Sequence, residues 1–117
     1  MVWEVEGTDQ FEQWYAALHA DEQERVNIVV AKLEEAGPTL SRPAADTIAG
    51  SRHANMKELR VNNPPLRIFF AFNPRRTAIL LVGGDKTNDP FFYDRMIPIA
   101  DDLLDEHLRE LESEHGD

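Results

Sequence analysis

The residues best suited to chemistry on an anion are cations in the middle of an otherwise acidic chain. The stretch LRIFFAFNPRRTAILLVGGDK, residues 66–86, carries Arg67, Arg75, Arg76 and Lys86 among some of the most apolar residues of the protein. Positively charged side chains bind phosphate groups and stabilise negative charge that develops on them. The stretch therefore predicts one of two structures. It is either ordinary sheet core or a surface that binds an anion.

The charges of the chain are segregated along the sequence. The formal net charge is −10, but residues 52–86 carry seven basic residues against two acidic ones. Residues 1–51 carry ten acidic residues against three basic ones, and residues 87–117 carry ten against two. Acidic flanks repel nucleic acid at long range, yet a local basic face can still hold phosphates. Taken singly, each acidic flank is equally consistent with a well-solvated helix.

Length and composition bound the class of protein. A chain of 117 residues, 42% of them hydrophobic, predicts one globular domain over residues 1–117. The absence of cysteine excludes disulfides and thiolate metal sites and fits a cytoplasmic protein. The N-terminus MVWEVEGTDQFEQW lacks the features of a signal peptide, and TAILLVGG is too short to cross a bilayer. We expect a soluble cytoplasmic protein with no membrane partner.

The elements that must position the cations follow from hydrophobic spacing. VWEV (2–5) is β-prone, Thr8 is the candidate N-cap of a first helix, and Asp21 that of a second helix ending at Gly37. Residues 37–51 predict an irregular loop. NMKELRV, LRIFFAF and TAILLVGG predict three consecutive strands, and Gly83-Gly84 is expected to end the last of them. KTNDPFFYDR predicts a loop before a closing helix that has Pro98 in its first turn.

The resulting order, β-α-α-β-β-β-α, predicts an α+β fold with an antiparallel-rich sheet, a helical hairpin and a C-terminal helix. TAILLVGG is apolar on both faces and is expected in the sheet interior. In this arrangement the helices cover one face of the sheet and leave the other face partly open.

Strand alternation places Glu58, Arg60, Arg67 and Phe69 together on that open face. A cationic face with an aromatic ring can bind a phosphate backbone and stack a base. Alternatively, Arg60 and Arg67 form ion pairs with Glu58 and with acidic helix residues.

Two histidines are further candidates. His53 lies just before the second predicted strand, NMKELRV, and is a possible general base or an ordinary surface residue. His107 lies among four acidic residues in DDLLDEHL, a composition that can ligate a divalent metal. Consecutive acids spread around a helix, however, so a solvated helix face is favoured and no metal site is predicted.

The ordered set MKELRV, an Arg-bearing strand, GGDK and YDRMIPIADDLLDEHL resembles the RelE/ParE toxin superfamily. It is most similar to the phage-derived, HigB-like branch of type II toxin–antitoxin systems, over residues 3–111. The resemblance implies a small toxin that enters the ribosomal A site and cleaves mRNA during translation. It also implies a cognate antitoxin, usually a helix-turn-helix DNA-binding protein, and catalysis without a metal or other cofactor.

The resemblance further implies roles for individual residues. Arg67 would hold the scissile phosphate, and Lys57 and Arg60 would contact the backbone or shuttle a proton. Lys86 would lie at the active centre, and Tyr93 would stack on a base or aid the leaving group. A second group would contribute to RNA binding: Phe69, Arg75, Arg76 and His53.

The chain departs from the pattern of this superfamily at two places. Many relatives carry paired lysines after the last strand, whereas this chain has Asp85 beside a single Lys86. Lys57 shares a strand face with Leu59 and Val61, so its side chain points inward unless a bulge turns it outward. The alternative function is therefore a non-enzymatic module of the same fold, either a gyrase inhibitor or an inactive member.

Overall fold

A computed structural model describes residues 2–115 and shows an α+β fold, as predicted. Five strands and three α-helices follow one another along the chain, with a short 3₁₀ turn at Gly37–Thr39. In chain order these elements are β1 Glu4–Gly7, α1 Asp9–Ala16, α2 Ala20–Ala36, β2 Ala45–Thr47, β3 Lys57–Val61, β4 Leu66–Phe72, β5 Thr77–Asp85 and α3 Phe92–His115. None of the helices in the described range is long and apolar enough to span a membrane.

The strands form one sheet in the order β1-β5-β4-β3-β2. The pair β1–β5 is parallel, and the other three pairs are antiparallel, which confirms the antiparallel-rich sheet. β5 lies in the interior as predicted, although β4 occupies the middle position. A register shift between Phe69 and Phe70 of β4 interrupts the β4–β5 ladder.

Both faces of the sheet are covered, so the predicted open face is wrong. The first face packs against α1 and α2 through the side chains of Leu59, Leu66, Ile68 and Phe70. The second face packs against α3 through a separate apolar cluster that includes Phe69, Ala71, Ile79, Leu81, Phe92 and Met96. The difference arises because α3 begins at Phe92, within the predicted loop. Its first two turns supply Phe92 and Met96 to the second face, and Pro98 lies inside the helix.

The helix starts were predicted with mixed success. Thr8 caps α1 as expected, because its Oγ1 accepts the Phe11 N–H at 3.1 Å. The cap of α2 is His19 rather than Asp21. Glu22, three residues after His19, accepts the His19 N–H at 3.0 Å. This contact fixes the start of α2 two residues before the predicted cap at Asp21.

The predicted loop over residues 37–51 contains the edge strand β2, which the sequence pattern did not reveal. β2 is only three residues long, ADT, and pairs antiparallel with β3 so that Asp46 lies opposite Glu58. Three residues are too few to display an alternation of apolar and polar side chains.

Gly83 and Gly84 lie inside β5, so the prediction that they end the strand is wrong. Their missing side chains leave room for aromatic rings on the two faces. A Cβ at Gly83 would lie 2.4 Å from the ring of Trp14, and one at Gly84 would lie 2.8 Å from the ring of Phe92. The pair therefore allows α1 and α3 to approach the sheet closely.

We expect Gly83→Ala to lower the free energy of unfolding by about 1–3 kcal/mol, because the new methyl group overlaps the Trp14 ring. Urea denaturation of the wild type and the variant measures this difference. In a Trp14→Leu background the same substitution should be considerably less destabilising. An equal cost in both backgrounds would mean that the ring does not cause the effect.

Candidate functional site

The predicted grouping of charged side chains on β3 and β4 is present, on the face covered by α3. Arg60 lies directly opposite Arg67 in the antiparallel register, and Glu58 lies directly opposite Phe69. Two like charges opposite each other across a strand pair repel. A carboxylate on the same face, at Glu58, is placed to neutralise both arginines.

Glu58 is the centre of this group and is almost completely buried, with 3% of its surface exposed. Tyr93 donates its hydroxyl to Oε1 of Glu58 at 2.7 Å, and Arg60 donates its Nε to Oε2 at 3.0 Å. The Nε of Arg67 lies 3.8 Å from Oε1. Both arginines therefore pair with Glu58, which is the ion-pair alternative set out above. A carboxylate oxygen has two lone pairs, so each retains capacity for a further donor.

Arg67 is buried but not fully satisfied. Its Nη1 donates to the carbonyl oxygens of Val61 at 3.1 Å and Leu66 at 3.0 Å. Its Nε has no hydrogen-bond partner among the described residues, although the side chain is only 10% exposed. A buried donor without an acceptor is costly, and an anion that supplied the acceptor would be favoured here.

The first turn of α3 and the end of β5 complete the group. Tyr93 is half-buried and packs edge-on against Phe69, which directs its hydroxyl to Glu58. Burial, together with the hydrogen bond to the Glu58 carboxylate, raises the pKa of Tyr93 above its usual value, so the phenol stays protonated at neutral pH. Lys86 follows β5, and its Nζ lies 5.4 Å from the centre of the Tyr93 ring.

We call Glu58, Arg60, Arg67, Lys86 and Tyr93 the carboxylate cluster. It combines cations that can stabilise negative charge with a carboxylate that can accept a proton. Lys86 and Tyr93 are its half-buried outer members, and Arg67 and Glu58 lie beneath them. The arrangement suits acid–base chemistry on a phosphate ester.

Phe69 does not offer a stacking surface, which corrects its predicted role in contacting a base. Its side chain has no exposed surface and lies between the rings of Phe92 and Tyr93. The reason is the early start of α3, which covers the face on which Phe69 lies.

Lys57 lies on the other face of the sheet, with Leu59 and Val61, and is half-buried. The only register shift described in the sheet is in the β4–β5 ladder, so no bulge turns Lys57 toward Arg60. The predicted catalytic set is therefore divided between the two faces. Arg60 and Arg67 meet at Glu58, Lys86 lies near them beside the Tyr93 ring, and Lys57 is on the opposite face.

The hairpin-tip cations, Arg75 and Arg76, are also separate from the cluster. They follow β4, whose length places them about 20 Å from Arg67 along an extended strand. Arg76 stacks on the Trp3 ring at 4.9 Å. Arg75 pairs with Glu114 at 3.4 Å and lines a groove of about 460 Å³ that also contains Glu6, Asp9, Glu106 and Glu110. Such an acidic groove does not attract a phosphate backbone.

His53 takes part in a clasp between the loop before β3 and α3. Its Nε2 lies 2.8 Å from Oδ1 of Asp105, and Arg52 also pairs with that carboxylate. Hydrogen bonds from Arg52, the stronger partner, and from His53 hold the pKa of Asp105 below its usual value. Asp105 is twelve residues beyond Tyr93, about 18 Å along the helix, so His53 lies away from the carboxylate cluster.

Two site residues were not singled out by the sequence. Glu58 was predicted only as an ion-pair partner, yet it contacts three members of the cluster. Its position on the same strand face as Arg60 was the signal that could have identified it. Asp46 contacts Arg60 at 3.2 Å from β2, a strand that was not predicted.

The sequence profile of phage-derived, Gp49-like proteins matches residues 13–105. The chain is 47% identical over 108 residues to the candidate toxin HigB3 of Mycobacterium tuberculosis, covering 92% of each chain. It is 41% identical to the candidate toxin HigB2 of the same organism, covering 89% of this chain and about half, 54%, of that relative. The fold also resembles a chain of the E. coli RelBE toxin–antitoxin complex, with a TM-score of 0.60 at 8% identity over 71% of this chain and 95% of that chain.

Proposed function

The chain belongs to the family of phage-derived, Gp49-like proteins, and from this membership we propose that it is the toxin of a type II toxin–antitoxin pair that cleaves mRNA on the translating ribosome. Its similarity over most of its length to the candidate toxins HigB3 and HigB2 supports the toxin assignment. The carboxylate cluster supports the nuclease assignment, because it joins a proton acceptor to three cations.

The observation that carries the proposal is the unsatisfied Nε of Arg67. Its Nε is a buried donor without a hydrogen-bond partner in the described range, 3.8 Å from a buried carboxylate. A phosphate oxygen of the substrate supplies the missing acceptor. Arg67 then neutralises the charge that accumulates on the non-bridging oxygens as the phosphorus becomes five-coordinate.

RNA cleavage of this kind requires a proton acceptor and a proton donor. The 2′-hydroxyl oxygen bonds to the adjacent phosphorus while its proton passes to a carboxylate oxygen of Glu58. The bond from phosphorus to the 5′-oxygen breaks, and that oxygen takes a proton from the Lys86 ammonium group. The products are a 2′,3′-cyclic phosphate and a free 5′-hydroxyl, so atoms and protons balance without a metal.

The antitoxin is the second part of the proposal. The E. coli chain with a similar fold comes from a toxin–antitoxin complex, which supports a protein partner of this kind. We expect the antitoxin to contact the acidic flanks through a segment rich in lysine and arginine, because the charges are complementary. A helix-turn-helix DNA-binding protein encoded beside the toxin remains the expected partner.

Inducible expression in a bacterium, followed by primer extension on reporter mRNAs, tests this function. One reporter carries a functional start codon, and its matched control carries a mutated one. Cuts restricted to the translated reporter support the proposal, and cuts in both reporters contradict the requirement for the ribosome. Growth arrest without cuts would favour the gyrase-inhibitor alternative. An absence of both would leave the family membership without the toxin activity.

We expect Tyr93→Phe to lower the cleavage rate constant on ribosomes about 10-fold while KM changes little. The substitution keeps the ring against Phe69 but removes the hydrogen bond that orients Glu58, and hydrogen bonds to charged groups contribute roughly 1.5–3 kcal/mol. Single-turnover cleavage measures the rate constant. Tyr15→Phe, which loses an exposed hydrogen bond to Asn27 on the other side of the sheet, is the matched control. A wild-type rate for Tyr93→Phe would remove the hydroxyl from the mechanism.

A further inference from the structure

Arg60 is shared between two carboxylates. Its Nε donates to Glu58 at 3.0 Å, and its Nη2 donates to Oδ2 of Asp46 at 3.2 Å. The two acids lie directly opposite each other in the β2–β3 register, so their charges repel across the strand pair. The guanidinium group bridges them, and its planar geometry fixes which nitrogen faces which acid.

Asp46 has its own support on the solvent side. Arg42 donates its Nε to Oδ2 of Asp46 at 2.8 Å, and the Thr47 N–H donates to Oδ1 at 2.9 Å. These contacts, led by the Arg42 hydrogen bond, hold the pKa of Asp46 below its usual value. Asp46 is therefore charged at neutral pH and competes with Glu58 for Arg60.

We propose that Asp46 is a positioning residue that divides the Arg60 guanidinium between itself and Glu58, and so limits how firmly Arg60 holds the Glu58 carboxylate. A carboxylate held too firmly by a cation is a poor proton acceptor, because the cation favours its charged form. Asp46 would thus keep Glu58 able to accept a proton from the attacking hydroxyl. This last consequence rests on the proposed nuclease function, whereas the effect on Glu58 itself does not.

Three other charged or titratable groups lie around Glu58. Arg67 approaches from β4 and Tyr93 from α3, while Lys86 lies beyond the Tyr93 ring. Neither Asp46 nor Arg42 contacts these three groups in the described structure. Substitutions at the two positions therefore act on Glu58 through Arg60 or through space.

NMR titration of the Glu58 side-chain carboxyl carbon in the purified full chain tests the proposal without RNA or ribosomes. The Glu58 signal is assigned by its loss in Glu58→Gln. Asp46→Asn should move the titration midpoint down by about half a pH unit, since Arg60 then pairs with Glu58 alone. Arg42→Gln should move it up by a similar amount, because Asp46 then draws Arg60 more strongly.

A double-substitution cycle separates action through Arg60 from plain charge repulsion. In an Arg60→Gln background the shift caused by Asp46→Asn should fall to less than half. Three results would overturn the proposal. The first is a shift of unchanged size in the Arg60→Gln background. The others are shifts of the same sign for Asp46→Asn and Arg42→Gln, or no shift in either variant. If the predicted shifts appear but the wild type cleaves no mRNA, Asp46 keeps its positioning role and the nuclease assignment fails.

Discussion

Arg67→Ala is expected to reduce mRNA cleavage on the ribosome by about 10²–10³-fold and to abolish growth arrest. The substitution removes the donor that we place against the non-bridging phosphate oxygens. It also removes a positive charge directly opposite Arg60, so binding of the RNA backbone should weaken as well. We therefore expect a loss in the rate constant together with a rise in KM.

The same substitution also affects stability, and this effect must be kept separate from the chemistry. The carbonyl oxygens of Val61 and Leu66 lose their Arg67 donor, and Glu58 loses one cationic neighbour. Removing one partner of a buried ion pair costs about 3 kcal/mol, which corresponds to a fall in Tm of roughly 10 °C. Circular dichroism at the assay temperature will show whether Arg67→Ala is folded under the conditions of measurement.

Arg67→Lys keeps the experiment decisive if the alanine variant unfolds. Lysine retains the charge beside Glu58 but lacks the guanidinium fork that reaches two carbonyl oxygens while its Nε faces a ligand. We expect this variant to regain most of the stability and little of the cleavage. Arg109→Ala, an exposed arginine near the C-terminal end of α3, is the matched control. Full activity in a folded Arg67 variant would move the working surface to the helices.

Elements with a long, unbroken pattern could be predicted from the sequence. LRIFFAF gave the bounds of β4 correctly, because seven consecutive strand-forming residues lie between the turn sequences NNPP and NPRR. The start of α1 was likewise predicted correctly, because Thr8 is a residue type that caps helices. In both elements, interactions between near neighbours in the chain determine the structure.

Elements that depend on distant contacts could not be predicted in this way. β2 forms only because β3 offers a free edge, so its three residues carry no pattern of their own. Pro98 predicts a helix start that is too late, because proline is common in a first turn but here lies inside α3. The actual start signal is Asp89, whose carboxylate accepts the Phe91 N–H at 3.1 Å.

The same difference between local and long-range interactions explains which site residues could be placed from the sequence. Alternation within a strand correctly placed Glu58, Arg60 and Arg67 on one face, because it is a local property. Which helix covers that face is a tertiary property, and the error there made Phe69 seem exposed. Burial under α3 also brings Glu58 to Tyr93 and to both arginines, at the place where we propose that the phosphate binds, so we expect Glu58 to be more than a counter-ion.

Glu58→Gln provides the sharpest test of that conclusion, with an expected loss of about 10²–10⁴-fold in the cleavage rate constant. Glutamine has nearly the same shape as glutamate and can still accept the Tyr93 hydroxyl, but it cannot take a proton from the 2′-hydroxyl. Arg60 and Arg67 lose the charge that neutralises them, so the affinity for RNA should be unchanged or higher. The predicted result is a fall in kcat with an unchanged or lower KM.

The pH profile distinguishes this role from that of a mere ion-pair partner. If Glu58 accepts the proton, wild-type cleavage should decline toward acidic pH, and this decline should be absent from the residual activity of Glu58→Gln. An ion-pair partner would instead affect stability and leave the profile of the folded variant unchanged. Single-turnover cleavage measured from acidic to neutral pH gives both profiles. A folded Glu58→Gln protein that cleaves at the wild-type rate would show that Glu58 only holds the two arginines in place, and the proton acceptor would then have to be sought among the other groups facing the substrate.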